Sequence, residues 1–262
     1  MLLAFDVGNS GISFGVFSID NSSPKLLLKS RLSSDFRRTR DEYIITVRSI
    51  LELHNICDDQ INASAISSVV PELTATIADV AQYFTHSSPL IIAPGIRTGL
   101  NISIDHQTQL GSDLVANTVA ALSRVSAPAV IADLGTATTF AVVDRNSSLI
   151  GAIICPGLRV SLDALAHSAS LLAGSDLSRP DSIVGKNTRD SVNSGVVNGH
   201  IIMVDGFIRE LRQSLCSGTE SKLSLIATGG LADYVIPYCR NKFISIPELT
   251  LQGVAEIYMR NR

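Results

Sequence analysis

The sequence lacks the concentrations of positive charge that mark proteins binding nucleic acids. Its 262 residues contain 21 Lys and Arg against 24 Asp and Glu, which gives a net charge of −3. The densest basic cluster is the short segment 37–40, which is typical of a solvated loop or helix start. Because nucleic-acid-binding domains carry an extended basic patch, we expect no DNA or RNA partner.

Long hydrophobic segments are missing too. Apolar runs such as Leu90–Ala93 fall far short of the roughly 18 residues that span a bilayer. The first ten residues, MLLAFDVGNS, have no positively charged segment and already include Asp6, unlike a signal peptide. We therefore expect a soluble, cytoplasmic protein with no membrane association.

Cysteine is scarce and scattered. The four residues are Cys57, Cys155, Cys216 and Cys239, with no CxxC pair and no histidine at metal-finger spacing. In a reducing compartment such cysteines are expected to be small buried apolar residues and not disulfides or zinc ligands.

The clearest pattern present is a repeated strand–turn–strand unit. The segment Leu2–Phe17 is apolar, then polar and glycine-rich after Asp6, then apolar again, and residues 129–143 repeat it. Asp6 aligns with Asp133 and Gly8 with Gly135, about half the chain apart. A repeat at this offset predicts two similar halves, which we place at 1–125 and 126–262.

Amphipathic stretches alternate with short strands in the rest of the chain. The expected helices are Asp41–Asn55, Glu72–Phe84, Ser112–Val125, Ser161–Leu172 and Thr188–Cys216, and the expected further strands are Ala65–Val69, Leu90–Ala93 and Ser224–Ala227. Asp41 and Ser112 are the expected helix caps. Gly195 and Gly199 would share a helix face, either packed within the domain or at a subunit contact. The alternation predicts an α/β fold with a mixed sheet in each half.

Glycine-rich turns of this kind suit phosphate binding. Successive backbone N–H groups form an anion-binding concavity, and glycine allows close approach. Gly8–Ser13 supply such a turn, and Asp6 could hold Mg²⁺ directly or through water. Leu225–Ala232 is a strand running into Gly229 and Gly230, where adenine or ribose could lie against the backbone. Each element alone is equally compatible with a structural turn, but together they indicate an ATP site.

These motifs resemble a known family. The order DVGNS, DLGTATT and ATGG is similar to that of the sugar-kinase, heat-shock ATPase and actin superfamily. The fuller set resembles type III pantothenate kinase along most of the chain: DVGNSGISFGVF, ISSVVPEL, TGLNI, GSDLVAN, DLGTATTF, PGLRVSLDAL, VGKNT and TGGLA. The resemblance implies two ribonuclease-H-like (actin-like ATPase) halves, each a mixed sheet with flanking helices, and an ATP cleft between them. It also implies a homodimer and the phosphorylation of pantothenate to 4'-phosphopantothenate, the first step of coenzyme A biosynthesis.

Matching positions carry the implied roles. ATP binding falls on Asp6, Val7, Gly8, Asn9, Ser10, Gly11, Ile12, Ser13 and Thr136, and substrate binding on Gly111, Ser112, Asp113, Leu114 and Thr188. Asp133 matches a site for a monovalent cation, K⁺ or NH₄⁺, while Asp6 is the residue placed on the Mg²⁺ side. Asp113 matches the proton acceptor, at a predicted helix start where free N–H groups favour the ionised carboxylate. A simple helix-terminal aspartate is the alternative reading of Asp113.

Two departures fall on the substrate side. Leu114 stands where the family has arginine, and Ile104 precedes 105–107 where the family usually has tyrosine. An arginine is the natural partner of a substrate carboxylate. Three readings follow: a pantothenate kinase that uses another cation such as Arg97, Arg159 or Arg189; a non-catalytic regulatory protein on the same fold; or a kinase of a less anionic hydroxyl compound.

Overall fold

The structure, a computed structural model, describes residues 1–19, 23–106, 109–168, 177–217 and 222–262. The described strands are β1 (Leu2–Val7), β2 (Ile12–Ile19), β3 (Pro24–Leu32), β4 (Ala63–Ser68), β5 (Leu90–Ile91), β6 (Asn101–Ile102), β7 (Ala129–Leu134), β8 (Ala137–Val143), β9 (Ser148–Pro156), β10 (Ser224–Thr228) and β11 (Ile244–Ser245). The described helices are α1 (Arg40–Leu53), α2 (Pro71–Thr85), α3 (Ser112–Leu122), α4 (Leu158–Ser168), α5 (Thr188–Asn193), α6 (Gly199–Cys216), α7 (Ala232–Val235) and α8 (Leu249–Met259).

The chain forms two compact units. The first comprises Met1–Arg124 together with Glu248–Arg262, and the second comprises Val125–Pro247. The expected α/β architecture with mixed sheets is confirmed. The C-terminal helix α8 belongs to the first unit, whereas a division at 125/126 counts it with the second. The cause is the packing of α8 on α3, where Gly253 lies directly against the Ala116 backbone.

The first sheet has the strand order β3-β2-β1-β4-β5, with β1 antiparallel to β2 and parallel to β4. One face packs on α1 and α2 through a cluster that includes Phe5 and Phe14. The other face, which includes Leu2 and Ala4, packs on α3 and α8. Apart from Asp6, every side chain of β1 is buried, as expected for a central strand covered on both faces.

The second unit repeats this central motif. Its strands run in the order β11-β10-β7-β8-β9, with β7 antiparallel to β8 and parallel to β10. Phe140 and Leu134 pack with Val204 and Ile208 of α6 in its core. The half-chain repeat in the sequence therefore corresponds to the same strand–turn–strand placed at the centre of each sheet.

Most expected helices and strands are present, with local corrections. The cap of α1 is Thr39 and not Asp41, because Thr39 forms a capping box with Glu42. Gly111 is the cap of α3, and Ser112 is its first residue. The expected helix Thr188–Cys216 is interrupted by a π-helical turn at Ser194–Asn198. Of the expected helix Ser161–Leu172, residues 169–172 lie outside the described residues, as does Gln107 of the segment after Ile104.

Two expectations about the surface also have outcomes. None of the four cysteines forms a disulfide, but the expectation that they are buried is wrong. Cys57 is exposed because it lies in the exposed turn after α1, and the other three are half-buried. Within the described ranges, no helix has both the length and the apolar character needed to cross a membrane.

Candidate nucleotide and substrate site

A row of polar residues crosses the first sheet at the carboxyl end of β1. Asp6 is in register with Ser13 of β2 and with Ser67 of β4, and Ser13 is in register with Arg31 of β3. Register partners point to the same face of a sheet, and the alternation with Phe5 and Ile12 places this row on the face that carries α3 and α8. The order Arg31–Ser13–Asp6–Ser67, here called the first row, combines a cation, a carboxylate and two hydroxyls.

The turn between β1 and β2 stands beside this row. The Gly8 amide donates to the Gly11 carbonyl at 3.0 Å, which closes the turn, and Asn9 and Ser10 are exposed at its tip. The Ser34 hydroxyl donates to the Gly8 carbonyl at 2.5 Å. The turn is therefore held from outside by the segment that follows β3, and its tip remains accessible.

Helix α3 begins next to Ser67. The Ser112 hydroxyl lies 2.9 Å from the Ser67 hydroxyl, accepts from the Ser68 amide at 3.0 Å and donates to the Ser68 carbonyl at 3.1 Å. These bonds fix the first turn of α3 to the end of β4. The same end of the sheet thus positions Asp6 and the helix start that carries Asp113.

The Asp113 carboxylate is largely buried at this helix start. It accepts a hydrogen bond from the Leu114 amide at 2.8 Å and lies against the α-carbon of Gly111, whose φ of −60° is ordinary. A side chain at 111 would overlap the carboxylate and force it to shift, so glycine leaves the space that the carboxylate occupies. Burial raises the pKa of Asp113 above its usual value, and the hydrogen bonds from the Leu114 and Asp113 amides only partly offset this. The free helix-terminal amides favour ionisation, as expected, but desolvation is the larger effect.

The second unit contains an equivalent row. Asp133 of β7 is in register with Thr139 of β8 and Thr228 of β10, and Thr139 is in register with Ile154 of β9. The order Ile154–Thr139–Asp133–Thr228, here called the second row, has hydroxyls beside the aspartate and an exposed isoleucine at its end.

Backbone packs closely around Asp133. Gly229 adopts a φ of +96°, and a Cβ there would lie 2.5 Å from the Asp133 carboxylate, so only glycine is accommodated. The Gly157 amide donates to the Thr136 carbonyl at 3.1 Å, while the Thr136 side chain is exposed. Thr138 of the same motif is buried and bonds to His200 at 2.8 Å.

Thr188 lies in an open groove of the second unit. The groove has a volume of about 560 Å³ and is lined by Gly185, Lys186, Asn187, Thr188, Ser191 and Val192. The Asn187 side chain caps α5 by accepting from the Asp190 amide at 2.8 Å, and the exposed Thr188 is the first residue of that helix. Lys186 adds an exposed ammonium group to this groove.

The two positions that depart from the family pattern, Leu114 and Ile104, lie in different environments. Leu114 is buried, with 7% of its surface exposed, whereas Ile104 is half-buried. Arg97, Arg159 and Arg189 are exposed, and the groove lining includes none of them. The cation found with Thr188 is Lys186.

Several residues of the site were not expected from the sequence. Ser67 and Arg31 reach their row through strand register, and Ser34 reaches Gly8 from beyond β3. Thr228 belongs to the expected ATGG motif, but its place beside Asp133 follows only from the register of β10 with β7. The hydroxyl in ISSVVPEL was a usable signal for Ser67, because that motif resembles the family. Arg31 had no such signal, because β3 was not expected.

The chain is similar to known proteins in both sequence and fold. A family model described as type III pantothenate kinase matches residues 2–210. The chain is 36% identical over 261 residues to the type III pantothenate kinase of Halalkalibacterium halodurans and 37% identical over 265 residues to that of Shouchella clausii, with both chains covered completely. Among solved structures, it resembles the activator of the 2-hydroxyisocaproyl-CoA dehydratase from Clostridium difficile with bound ADPNP. That match has a TM-score of 0.54 and 12% identity, covers 99% of this chain and 94% of the other, and concerns the fold alone.

Proposed function

The chain belongs to the type III pantothenate kinase family, and from this premise we propose how its residues carry out the reaction. It transfers the γ-phosphoryl group of ATP to the primary hydroxyl of pantothenate, the first step of coenzyme A biosynthesis. The observation that carries this conclusion is the full-length identity to named pantothenate kinases, in a fold where an aspartate row stands beside a glycine-rich turn. No observation favours a regulatory protein or another substrate.

The first hairpin is the proposed phosphate loop. Asp6, Val7, Gly8, Asn9, Ser10, Gly11, Ile12 and Ser13 are assigned to ATP, with the accessible tip of the turn presenting backbone amides to the phosphates. Asp6 lies beside the hydroxyls of Ser13 and Ser67, an oxygen-only set that fits Mg²⁺. Bound Mg²⁺ neutralises charge that develops on the transferring phosphoryl group. Asp6 would hold that ion directly or through water.

Asp113 is the proposed proton acceptor. Its carboxylate is positioned by the Leu114 amide and by the space that Gly111 leaves. Burial raises the pKa of Asp113, and a carboxylate with a higher pKa is a stronger base. It would accept the proton of the substrate hydroxyl as the oxygen bonds to phosphorus and the ADP oxygen leaves.

The second row is proposed to bind a monovalent cation, and the turn beside it is proposed to contact ATP. Asp133, with Thr139 and Thr228 beside it, presents hard oxygen donors that fit K⁺ or NH₄⁺. Thr136 is exposed at the turn and is assigned as a further ATP contact. The closely packed Gly157 and Gly229 support the backbone around both residues.

Substrate recognition is assigned to Gly111, Ser112, Asp113, Leu114 and Thr188. Leu114 is apolar and buried, so it cannot bind the substrate carboxylate. We assign that role to Lys186, because its ammonium group shares the groove with Thr188.

A homodimer in the cytoplasm is also proposed. Gly195, Gly199 and Gly206 have open space where a Cβ would be, and Ile202 between them is 61% exposed. Small residues with an exposed isoleucine are suited to a two-fold contact. Four cysteines without a disulfide and the use of ATP support a cytoplasmic location.

The test is an ADP-release assay with pantothenate, pantetheine and neutral primary alcohols, with and without K⁺. Mass spectrometry should detect one phosphate added to pantothenate. Absence of phosphorylated pantothenate in the presence of Mg-ATP and K⁺ would reject the proposed activity, and light scattering showing only monomers at micromolar concentration would reject the dimer.

A further inference from the structure

Arg31 lies against the turn that is assigned to the ATP phosphates. A Cβ built on Gly11 would lie 2.5 Å from Nε and 2.9 Å from Nη2 of Arg31, so the guanidinium rests on the Gly11 α-carbon. Gly11 has no positive φ, and a side chain there would force the guanidinium to shift, so the absence of a side chain is what permits this contact. The loop glycine makes room for a cation.

Two neighbouring contacts hold this arrangement. Arg31 is fixed in β3 opposite Ser13, the last residue of the loop segment. Three residues later, Ser34 donates to the Gly8 carbonyl. The segment 31–34 thus contacts the turn at its first and last glycines, Gly8 and Gly11.

The charge of Arg31 is accessible. Its side chain is exposed, and none of the ion pairs formed among the described residues includes it. The neighbouring cation Lys29, on the same face of β3, does pair with Glu248. Asp6 stands two strands away from Arg31, about 10 Å between α-carbons. A phosphate at the turn would be repelled by Asp6, and Arg31 on the opposite side offsets that repulsion.

The hairpin architecture does not itself require this cation. In the second row, the position that corresponds to Arg31 is Ile154, in register with Thr139, and it is 69% exposed. The same strand–turn–strand therefore forms with an uncharged residue at this place. A function other than folding accounts for the arginine.

We propose that Arg31 is a phosphate-binding residue, whose guanidinium contacts the polyphosphate chain of ATP at the Gly8–Gly11 turn. This inference rests on the proposed function, since it takes the turn to be the ATP-phosphate loop. A guanidinium offers several donors in a fixed plane that matches phosphate oxygens, and such charge-assisted bonds are stronger than neutral ones.

The test compares Arg31→Gln and Arg31→Lys with Lys25→Gln. Lys25 is an exposed cation at the opposite end of the same strand, so Lys25→Gln removes equal charge away from the turn. For Arg31→Gln, calorimetry should show Mg-ATP affinity reduced roughly ten- to a hundred-fold, as expected from the loss of a charge-assisted contact. The Mg-ATP affinity of Arg31→Lys should lie between those of wild type and Arg31→Gln, and the affinity of Lys25→Gln should match wild type. The KM for pantothenate at saturating ATP should not change in any of them.

Gly11→Ala supplies an independent variant. The added methyl group would displace the guanidinium, so it should weaken Mg-ATP binding in wild type but add little in the Arg31→Gln background. Additive losses in the double variant would contradict the proposal.

The outcomes separate this proposal from the function on which it rests. Wild-type protein that neither binds nor uses ATP would reject the proposed function. Wild-type protein that uses ATP while Arg31→Gln keeps its Mg-ATP affinity would reject only the role of Arg31. A lowered urea midpoint of Arg31→Gln without nucleotide, with pantothenate and ATP constants affected alike, would show a structural role and also overturn the proposal.

Discussion

The two units place the same three-residue pattern at the centre of their sheets, yet they surround it differently. Ser13–Asp6–Ser67 in the first unit corresponds to Thr139–Asp133–Thr228 in the second. The outer position is Arg31 in one row and Ile154 in the other. The central hairpin is thus a shared scaffold, and the third strand of each sheet determines the charge presented beside it.

The turn between β1 and β2 and the turn between β7 and β8 also differ in the groups that contact them. The first turn is closed by a bond between Gly8 and Gly11, and the second by one between Gly135 and Ala137, each at 3.0 Å. A serine hydroxyl and an arginine contact the first turn, whereas the backbone of Gly157 and Gly229 packs on the second. A cation beside an open turn favours an anionic ligand, and a carboxylate among backbone groups favours a cation. The comparison therefore supports the proposal that the first row faces the phosphates and the second row the monovalent ion.

The largest expected effect comes from Asp113, whose neighbour Ser112 is hydrogen-bonded to Ser67 of the first row. Asp113→Asn should lower kcat about 10²–10⁴-fold, because an amide cannot accept the hydroxyl proton. Mg-ATP affinity should stay close to wild type. The matched control is Asp233→Asn, which alters another first-turn aspartate, exposed in α7. Equal kcat in wild type and Asp113→Asn would show that Asp113 is a helix-terminal residue without a role as proton acceptor.

Replacing Asp6 or Asp133 by asparagine, one at a time, tests whether Mg²⁺ binds at the first row and K⁺ at the second. Asp6→Asn should raise the Mg²⁺ concentration needed for half-maximal rate at least about tenfold, since even residues that only orient metal ligands cost 10–100-fold. Asp133→Asn should instead change the response to K⁺. If the two variants shift the same ion dependence, the rows do not differ in function.

The substrate assignment adds a contrast within the second unit. Lys186→Gln should raise the KM for pantothenate by roughly tenfold, through loss of a charge-assisted bond to the carboxylate. Arg189→Gln is the control, because Arg189 is also exposed and close in sequence but does not line the groove. The KM values for neutral substrates such as pantetheine should be the same in both variants. A silent Lys186→Gln would move the carboxylate site elsewhere.

A direct way to break the comparison is to give the second row a cation. Ile154→Arg is tolerable for folding because Ile154 is 69% exposed, and its charge should compete with K⁺ near Asp133. Exposed charge interactions are small, so activation by K⁺ should weaken only about two- to fivefold. Ile150→Arg, at another exposed position of β9 that lies four residues from Ile154, should have less effect. Unchanged activation in Ile154→Arg would argue against a cation at the second row.

The sequence predicted the parts of the fold that depend on local patterns. The hairpins at Asp6 and Asp133 combine apolar runs with a glycine turn, and the motif around Asp113 marks a helix start. These signals lie within about ten residues, so they can be recognised without tertiary contacts.

The remaining parts depend on contacts between distant segments. Strand β3 was missed because its apolar alternation is broken by a register shift at Val16/Phe17, which leaves Leu27 exposed. The position of Arg31 against Gly11 follows from that strand and could not be inferred without it. Helix α8 joins the first unit through Gly253 on Ala116, a contact that no local pattern encodes.

The smallest expected effect concerns stability and separates the buried carboxylate of the first unit from a surface one. Burial raises the pKa of Asp113 above its unfolded value, so the folded state favours the protonated form. Its favourable contribution is therefore complete below the unfolded pKa and is lost as the pH rises through the folded pKa. Asp113→Asn should then gain unfolding free energy relative to wild type as the pH increases from acidic to neutral.

Asp35 provides the control of opposite sign. A hydrogen bond from Arg37 lowers the pKa of Asp35, so its contribution is present above the unfolded pKa and is lost as the pH falls. Asp35→Asn should lose stability at neutral pH relative to wild type, by little because the ion pair is exposed to solvent. Urea unfolding of the three proteins across the acidic to neutral range measures both differences. If the difference in unfolding free energy between Asp113→Asn and wild type does not grow with pH, burial does not raise the pKa of Asp113. The argument that a raised pKa makes this carboxylate a better acceptor of the substrate proton then fails as well.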